Sequence, residues 1–106
     1  MAMSLGELIW DEVVVWDFFQ KDTIGKQLVR AVDSVAANIS EGYGRFHYKD
    51  SKNFGYYSRG SLYETKTWLN KAFKRKLISE NKFRACMEII DPLGRMLNKY
   101  IKSIGQ

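Results

Sequence analysis

The stretch "LVRAVDSVAANISEGYGR", Leu28 to Arg45, decides the fold. Leu28, Val29, Val32, Val35, Ala36 and Ile39 recur at three- and four-residue steps, which places them on one face of a helix turning 100° per residue. Gly42 and Gly44 follow. Glycine accepts the left-handed conformation that closes helices, so a helix is expected over 24–41. Along one edge of the apolar stripe, Ser34, Asn38 and Glu41 stand at i, i+4 and i+7. A serine, an amide and a carboxylate in one row admit three readings: a catalytic site, a polar seam between helices, or a subunit contact.

Outward from this helix, the same periodicity continues and strand alternation is nowhere sustained. A first helix is expected over 5–20 with Ser4 as its N-cap. A third covers 50–76, its inner face made of Phe54, Tyr57, Ser58, Ser61, Leu62, Thr65, Trp68, Leu69 and Ala72. A fourth covers 80–104, opened by Ser79, with Glu80 in its first turn. It buries Phe83, Cys86, Ile90, Leu93, Leu97, Tyr100, Ile101 and Ile104. Pro92 lies inside that pattern, where a kink is expected, but the apolar spacing crosses it and argues for one helix. Short connections make sequential helices antiparallel neighbours. The expectation is all-α: one domain over 1–106, an antiparallel up-down-up-down four-helix bundle. The first helix is apolar nearly all round. Leu8, Ile9, Val15, Trp16 and Phe19 form one face, while Trp10, Val13, Val14 and Phe18 lie on other sides. Such a helix is buried on more than one side, and a second copy of the chain is the simplest cover, so these last four are assigned to an oligomer interface.

The net charge of +5 over 106 residues is unevenly placed. Residues 1–22 carry five acids against Lys21, a net −4, whereas residues 45–84 carry eleven bases against three acids, a net +8. A basic block of this kind suits an anionic partner or a solvated helix face. No apolar run is long enough for a membrane span and no signal-peptide pattern opens the chain, so a cytoplasmic location is expected, with no membrane partner. A lone cysteine, Cys86, cannot form an intrachain disulfide, which fits a reducing compartment.

"IGKQLVRAVDSVAANISEGYGR" followed by "YYSRGSLYETKTWL" resembles the bacterial family of 23S rRNA intervening-sequence proteins. The residues that carry the resemblance are Gln27, Arg30, Ala31, Ser34, Asn38, Ile39, Glu41 and Gly42, then Arg59, Gly60, Ser61, Leu62 and Glu64. "GRMLNKYI" (Gly94 to Ile101) is similar to the family's last helix, so the likeness covers about 24–104. It implies a left-handed antiparallel bundle that assembles as a ring-like homo-oligomer, typically a pentamer, and no enzymatic activity. A relative is the accessory protein of diversity-generating retroelements, which binds a reverse transcriptase and nucleic acid.

The residues themselves offer little for catalysis. His47 is the only histidine, in the turn after the second helix, and one cysteine with one histidine cannot build a zinc site. Cys86 falls on an apolar face and reads as a core residue. "GYGRFH" lacks the third glycine of a dinucleotide fingerprint and the lysine-serine or lysine-threonine pair of a P-loop. Glu41 and Glu64 are not placed around a substrate cleft. The chain is therefore expected to be no enzyme, with no cofactor, metal or small-molecule substrate.

Folding the chain back about position 46 sets Ser34 near residues 57–61 and Arg30 near Leu62 to Glu64. Arg30, Ser34, Asn38, Glu41, Ser61 and Glu64 then make a structural polar seam, with Asn38 expected to bond across it and Arg30 to meet Glu64. The outer face of the third helix carries Lys52, Tyr56, Arg59, Tyr63, Lys66, Asn70 and Lys74, with Arg45, Lys49, Arg75 and Lys76 adding charge nearby. Bases interleaved with tyrosines suit an RNA backbone and its unstacked bases, so Lys52, Tyr56, Arg59, Tyr63, Lys66 and Lys74 are assigned to binding RNA or DNA. The functional expectation is a non-enzymatic, nucleic-acid-binding homo-oligomer. The alternative is an interaction scaffold or accessory subunit whose basic face holds an acidic protein partner, such as a reverse transcriptase.

Overall fold

The computed structural model describes residues 1–43 and 48–104. Helix α1 (Ala2–Val13) leads through a single turn, α2 (Phe18–Gln20), and a π-helical turn (Lys21–Gly25) into α3 (Lys26–Tyr43). Helices α4 (Tyr48–Lys74) and α5 (Glu80–Ser103) complete the chain. The fold is all-helical, with four long helices and no strand among the described residues.

The first helix departs from the sequence expectation. It ends at Val13 rather than near residue 20. Val13, Val14 and Val15 are three β-branched residues in a row, which lose side-chain freedom in a helix. Asp17 then offers a new start: its backbone is extended, its Oδ1 accepts from the Gln20 N–H at 2.8 Å, and Gln20 Oε1 accepts from the Asp17 N–H at 3.4 Å. This reciprocal capping box outcompetes continuation of the helix. The break redistributes the apolar residues. Val15 and Phe19, expected in the core, are 78% and 75% exposed, whereas Val13, assigned to an outer interface, is buried in the core. Trp16 is buried within the break and its indole N–H finds no hydrogen-bond partner among the described residues, a cost of about 1–3 kcal/mol. Ser4 is not the cap; α1 starts at Ala2, and Ser4 Oγ donates to the Met1 carbonyl within the first turn.

The expected closure of α3 at Gly42 is also corrected. The helix continues to Tyr43, and Gly44 lies outside the described residues. Gly42 is buried for another reason. A Cβ there would stand 3.3 Å from Phe54 Cβ, and its carbonyl accepts from Ser51 Oγ at 3.0 Å, so glycine lets α4 approach closely. α4 buries Ser58, Leu62, Thr65, Leu69 and Ala72, while Tyr57, expected inward, is exposed. It ends where the Lys76 N–H reaches the Phe73 carbonyl and the Leu77 N–H the Ala72 carbonyl, with Lys76 at φ 62°. This closure normally uses glycine, and a lysine there is strained. α5 opens on Ser79, whose Oγ accepts from the Lys82 N–H at 3.2 Å, and it runs through Pro92 as one helix.

α3 packs against α1 and α4, and α5 packs against α4 and α1. The α1–α3 pair and the α4–α5 pair therefore form opposite flanks of the molecule. Between α3 and α4 the contacts climb one helix while descending the other: Gly42 with Ser51, Val35 with Ser58, Ser34 with Ser61, Arg30 with Glu64. Leu5 and Ile9 of α1, Leu28, Val32 and Val35 of α3, Leu62 and Leu69 of α4, and Cys86 to Leu97 of α5 supply the shared core.

Candidate nucleic-acid interface

The α3–α4 seam comes first, because it fixes the rotation of α4 and so decides what that helix shows to solvent. Ser58 Oγ donates to the Val35 carbonyl at 2.9 Å in full burial. Ser61 Oγ donates to Ser34 Oγ at 3.0 Å, and Arg30 Nη2 meets Glu64 Oε1 at 2.7 Å. The ion pair is solvent-exposed on the arginine side, so it contributes on the order of 0.2–1 kcal/mol and mainly sets register. Asn38 does not bond across the seam as expected. Its Nδ2 donates to the Ser34 carbonyl at 2.8 Å and to Ser34 Oγ at 3.0 Å, one turn back on its own helix. Among the described residues, the serine pair carries that connection across. Glu41 stands exposed near the end of α3.

With the seam turned inward, α4 presents Tyr56, Tyr63, Lys66 and Lys74 outward, and Lys52 and Arg59 half-buried. Arg59 is tied down: Nη1 donates to Asn98 Oδ1 of α5 at 2.8 Å, and its guanidinium lies 5.1 Å from the centroid of the Tyr56 ring. Lys66 Nζ lies 3.9 Å from Asp91 Oδ1 of α5. Both groups are about half exposed, so the pair is weak and the ammonium is available to a stronger anion. Lys71, between them and Lys74, rests over the Trp68 ring at 5.1 Å. Arg45 and His47, like Gly44, fall outside the described residues.

An open groove of about 260 Å³ runs between α4 and α5, lined by Tyr63, Lys66, Asp91, Gly94, Arg95 and Asn98 among others. Arg95 was not assigned from the sequence. Its signal was present, since Arg95, Asn98, Lys99 and Lys102 follow at three- and four-residue steps on the polar side of α5, but the larger basic block on α4 drew the assignment. The groove thus offers two cationic side chains, a tyrosine face and an amide, with one carboxylate among them. That set can hold a phosphodiester and stack an unpaired base.

Elsewhere, Trp10, Val14 and Phe18 are 52%, 45% and 80% exposed, joined by Val15 and Phe19. Cys86 is buried, and burial, with repulsion from Glu12, pushes its thiol up to about 11. Among the described residues, no three histidine, cysteine or carboxylate side chains lie close enough to hold a metal, and no helix is long and apolar enough to cross a membrane.

The chain belongs to the 23S rRNA-intervening sequence protein family, whose model matches residues 1–99 and so takes in α1 as well as the later helices. It is similar in fold to a crystal structure from Bacteroides thetaiotaomicron, described as a protein with unknown function from the S23 ribosomal protein family. The two share 20% identity with a TM-score of 0.77, over 96% of this chain and 89% of that one. No curated protein matches the chain.

Proposed function

We propose that the chain is a non-enzymatic, cytoplasmic, antiparallel four-helix bundle that assembles as a ring-like homo-oligomer, five chains by family resemblance, and binds RNA along the α4–α5 flank. The observation that carries the RNA reading is the groove itself: Tyr63 beside Lys66 and Arg95, open to solvent, on the flank opposite the acidic α1. Charge supplies affinity for the backbone and the tyrosines supply stacking faces, and several copies would repeat the stripe. The opposed register of α3 and α4 supports the antiparallel arrangement.

The test is RNA binding as a function of salt. Lys66→Glu with Lys74→Glu should weaken binding strongly at low salt and flatten the dependence of log K on log salt by roughly 0.7–0.9 per lost phosphate contact. Helicity and particle size should not change, because both side chains are exposed. Equal binding by parent and variant removes RNA from this face. An accessory-scaffold role then leads.

A further inference from the structure

The break after α1 leaves five large apolar side chains, Trp10, Val14, Val15, Phe18 and Phe19, between 45% and 80% exposed within ten residues of chain. With aromatic side chains burying about 150–250 Å² each, these present on the order of 600 Å², near the roughly 800 Å² per partner of a standard interface and at the upper end of what a monomer leaves open. They divide into two shapes. Trp10 and Val14, with Val29, line an open groove of about 410 Å³ between α1 and α3, rimmed by Lys21, Lys26 and Arg30. Val15, Phe18 and Phe19 stand out from the turn beside Asp17 and form a knob.

We infer that the groove of one copy receives the Phe18–Phe19 knob of another copy of this chain, head to tail, with Asp17 of the knob against Lys21 and Lys26 of the rim. This rests on the homo-oligomeric part of the proposed function and names its contact surfaces. Three features converge on a second copy as occupant. The groove is apolar at its floor and cationic at its rim, and the knob is aromatic and flanked by a carboxylate, so shape and charge match. The knob cannot fill its own groove, because the capped turn Phe18–Gln20 carries both rings to solvent. Knob and groove are also different surfaces, so each contact leaves one of each free. Such heterologous contacts generate rings when the rotation closes. The α4–α5 flank lies on the far side of the molecule and stays open for RNA.

The experiment is light scattering on the full chain and two variants at micromolar concentration. The parent should contain several chains per particle. Phe18→Ser with Phe19→Ser removes the knob and should give a particle of one 12.4 kDa chain with unchanged helicity, since both rings are exposed. Lys21→Glu with Lys26→Glu reverses the rim and should also give single chains. Mixing the two variants leaves one intact knob and one intact groove, and should yield particles of two chains and no larger. A monomeric parent, a serine variant of parental size, or a mixture that stays monomeric each overturns the inference. RNA binding is read separately on the Lys66→Glu/Lys74→Glu variant, which should keep the parental size, so either reading can fail without the other.

Discussion

Cys86 lies on the inner side of α5, where withdrawal from water penalises the thiolate and the charge of Glu12 adds to the penalty, while Lys82 offsets part of it. The folded protein therefore holds this proton more tightly than the unfolded chain does. The stability this confers is fully present below the ordinary pKa of 9.0 and is lost as pH rises from there towards about 11. The loss should approach about 1.4 kcal/mol per pH unit. Urea unfolding of the parent and of Cys86→Ala across that window should show the steeper alkaline decline only in the parent, though the variant starts from lower stability. Thiol-reactive dye should label the parent slowly at neutral pH until it is unfolded. Equal slopes, or rapid native labelling, would mean that the thiol reaches water. Residue-level reading of the seam succeeded where fold-back geometry alone decides, as for Arg30 with Glu64 and Ser34 with Ser61. It failed for Asn38, because an amide four residues beyond a serine finds its partners on its own helix first.

At the scale of elements, three helices are legible because each carries a long apolar stripe, and Ser79 marks the start of α5. The α1 boundary is not. The run "VVVWDFF", apolar except for Asp17, gives no periodicity to mark a stop, and the deciding signal is the capping spacing from Asp17 to Gln20. Glycines posed a similar ambiguity. Gly42 reads as a helix stop but serves close packing, and the same distinction separates two glycines of α4. A Cβ on Gly55 would come within 2.9 Å of Ile101 Cγ1, whereas one on Gly60 would meet nothing within 4 Å. Alanine is favoured over glycine inside a helix by roughly 0.5–1 kcal/mol. Gly60→Ala should therefore raise the unfolding free energy by about that amount, while Gly55→Ala should lower it by about 1–3 kcal/mol through displacement of α5. Thermal and urea melts decide this, and a stabilised Gly55→Ala would show that α5 moves at little cost.

For the whole molecule, the packing order keeps the charge blocks of the sequence apart. The acids of α1 and the basic stripe of α4 stand on diagonal helices, because α1 and α4 each pack against both α3 and α5. A protein polarised in this way can associate through one flank and bind an anion through the other, and amide exchange locates the association. The segment 14–25 combines exposed rings, a π-helical turn and a Trp16 indole N–H with no partner among the described residues, so it should open locally at low cost. Raising the protein concentration should slow exchange through that segment and the first turn of α3 and raise the apparent melting temperature, since association stabilises by mass action. Amides in the middle of α4 should exchange at an unchanged rate. Protection that instead grows along α4 and leaves 14–25 unchanged would place the contact on the basic flank. The lysines there would then be covered by another chain, and the surface proposed for RNA would no longer be open to it.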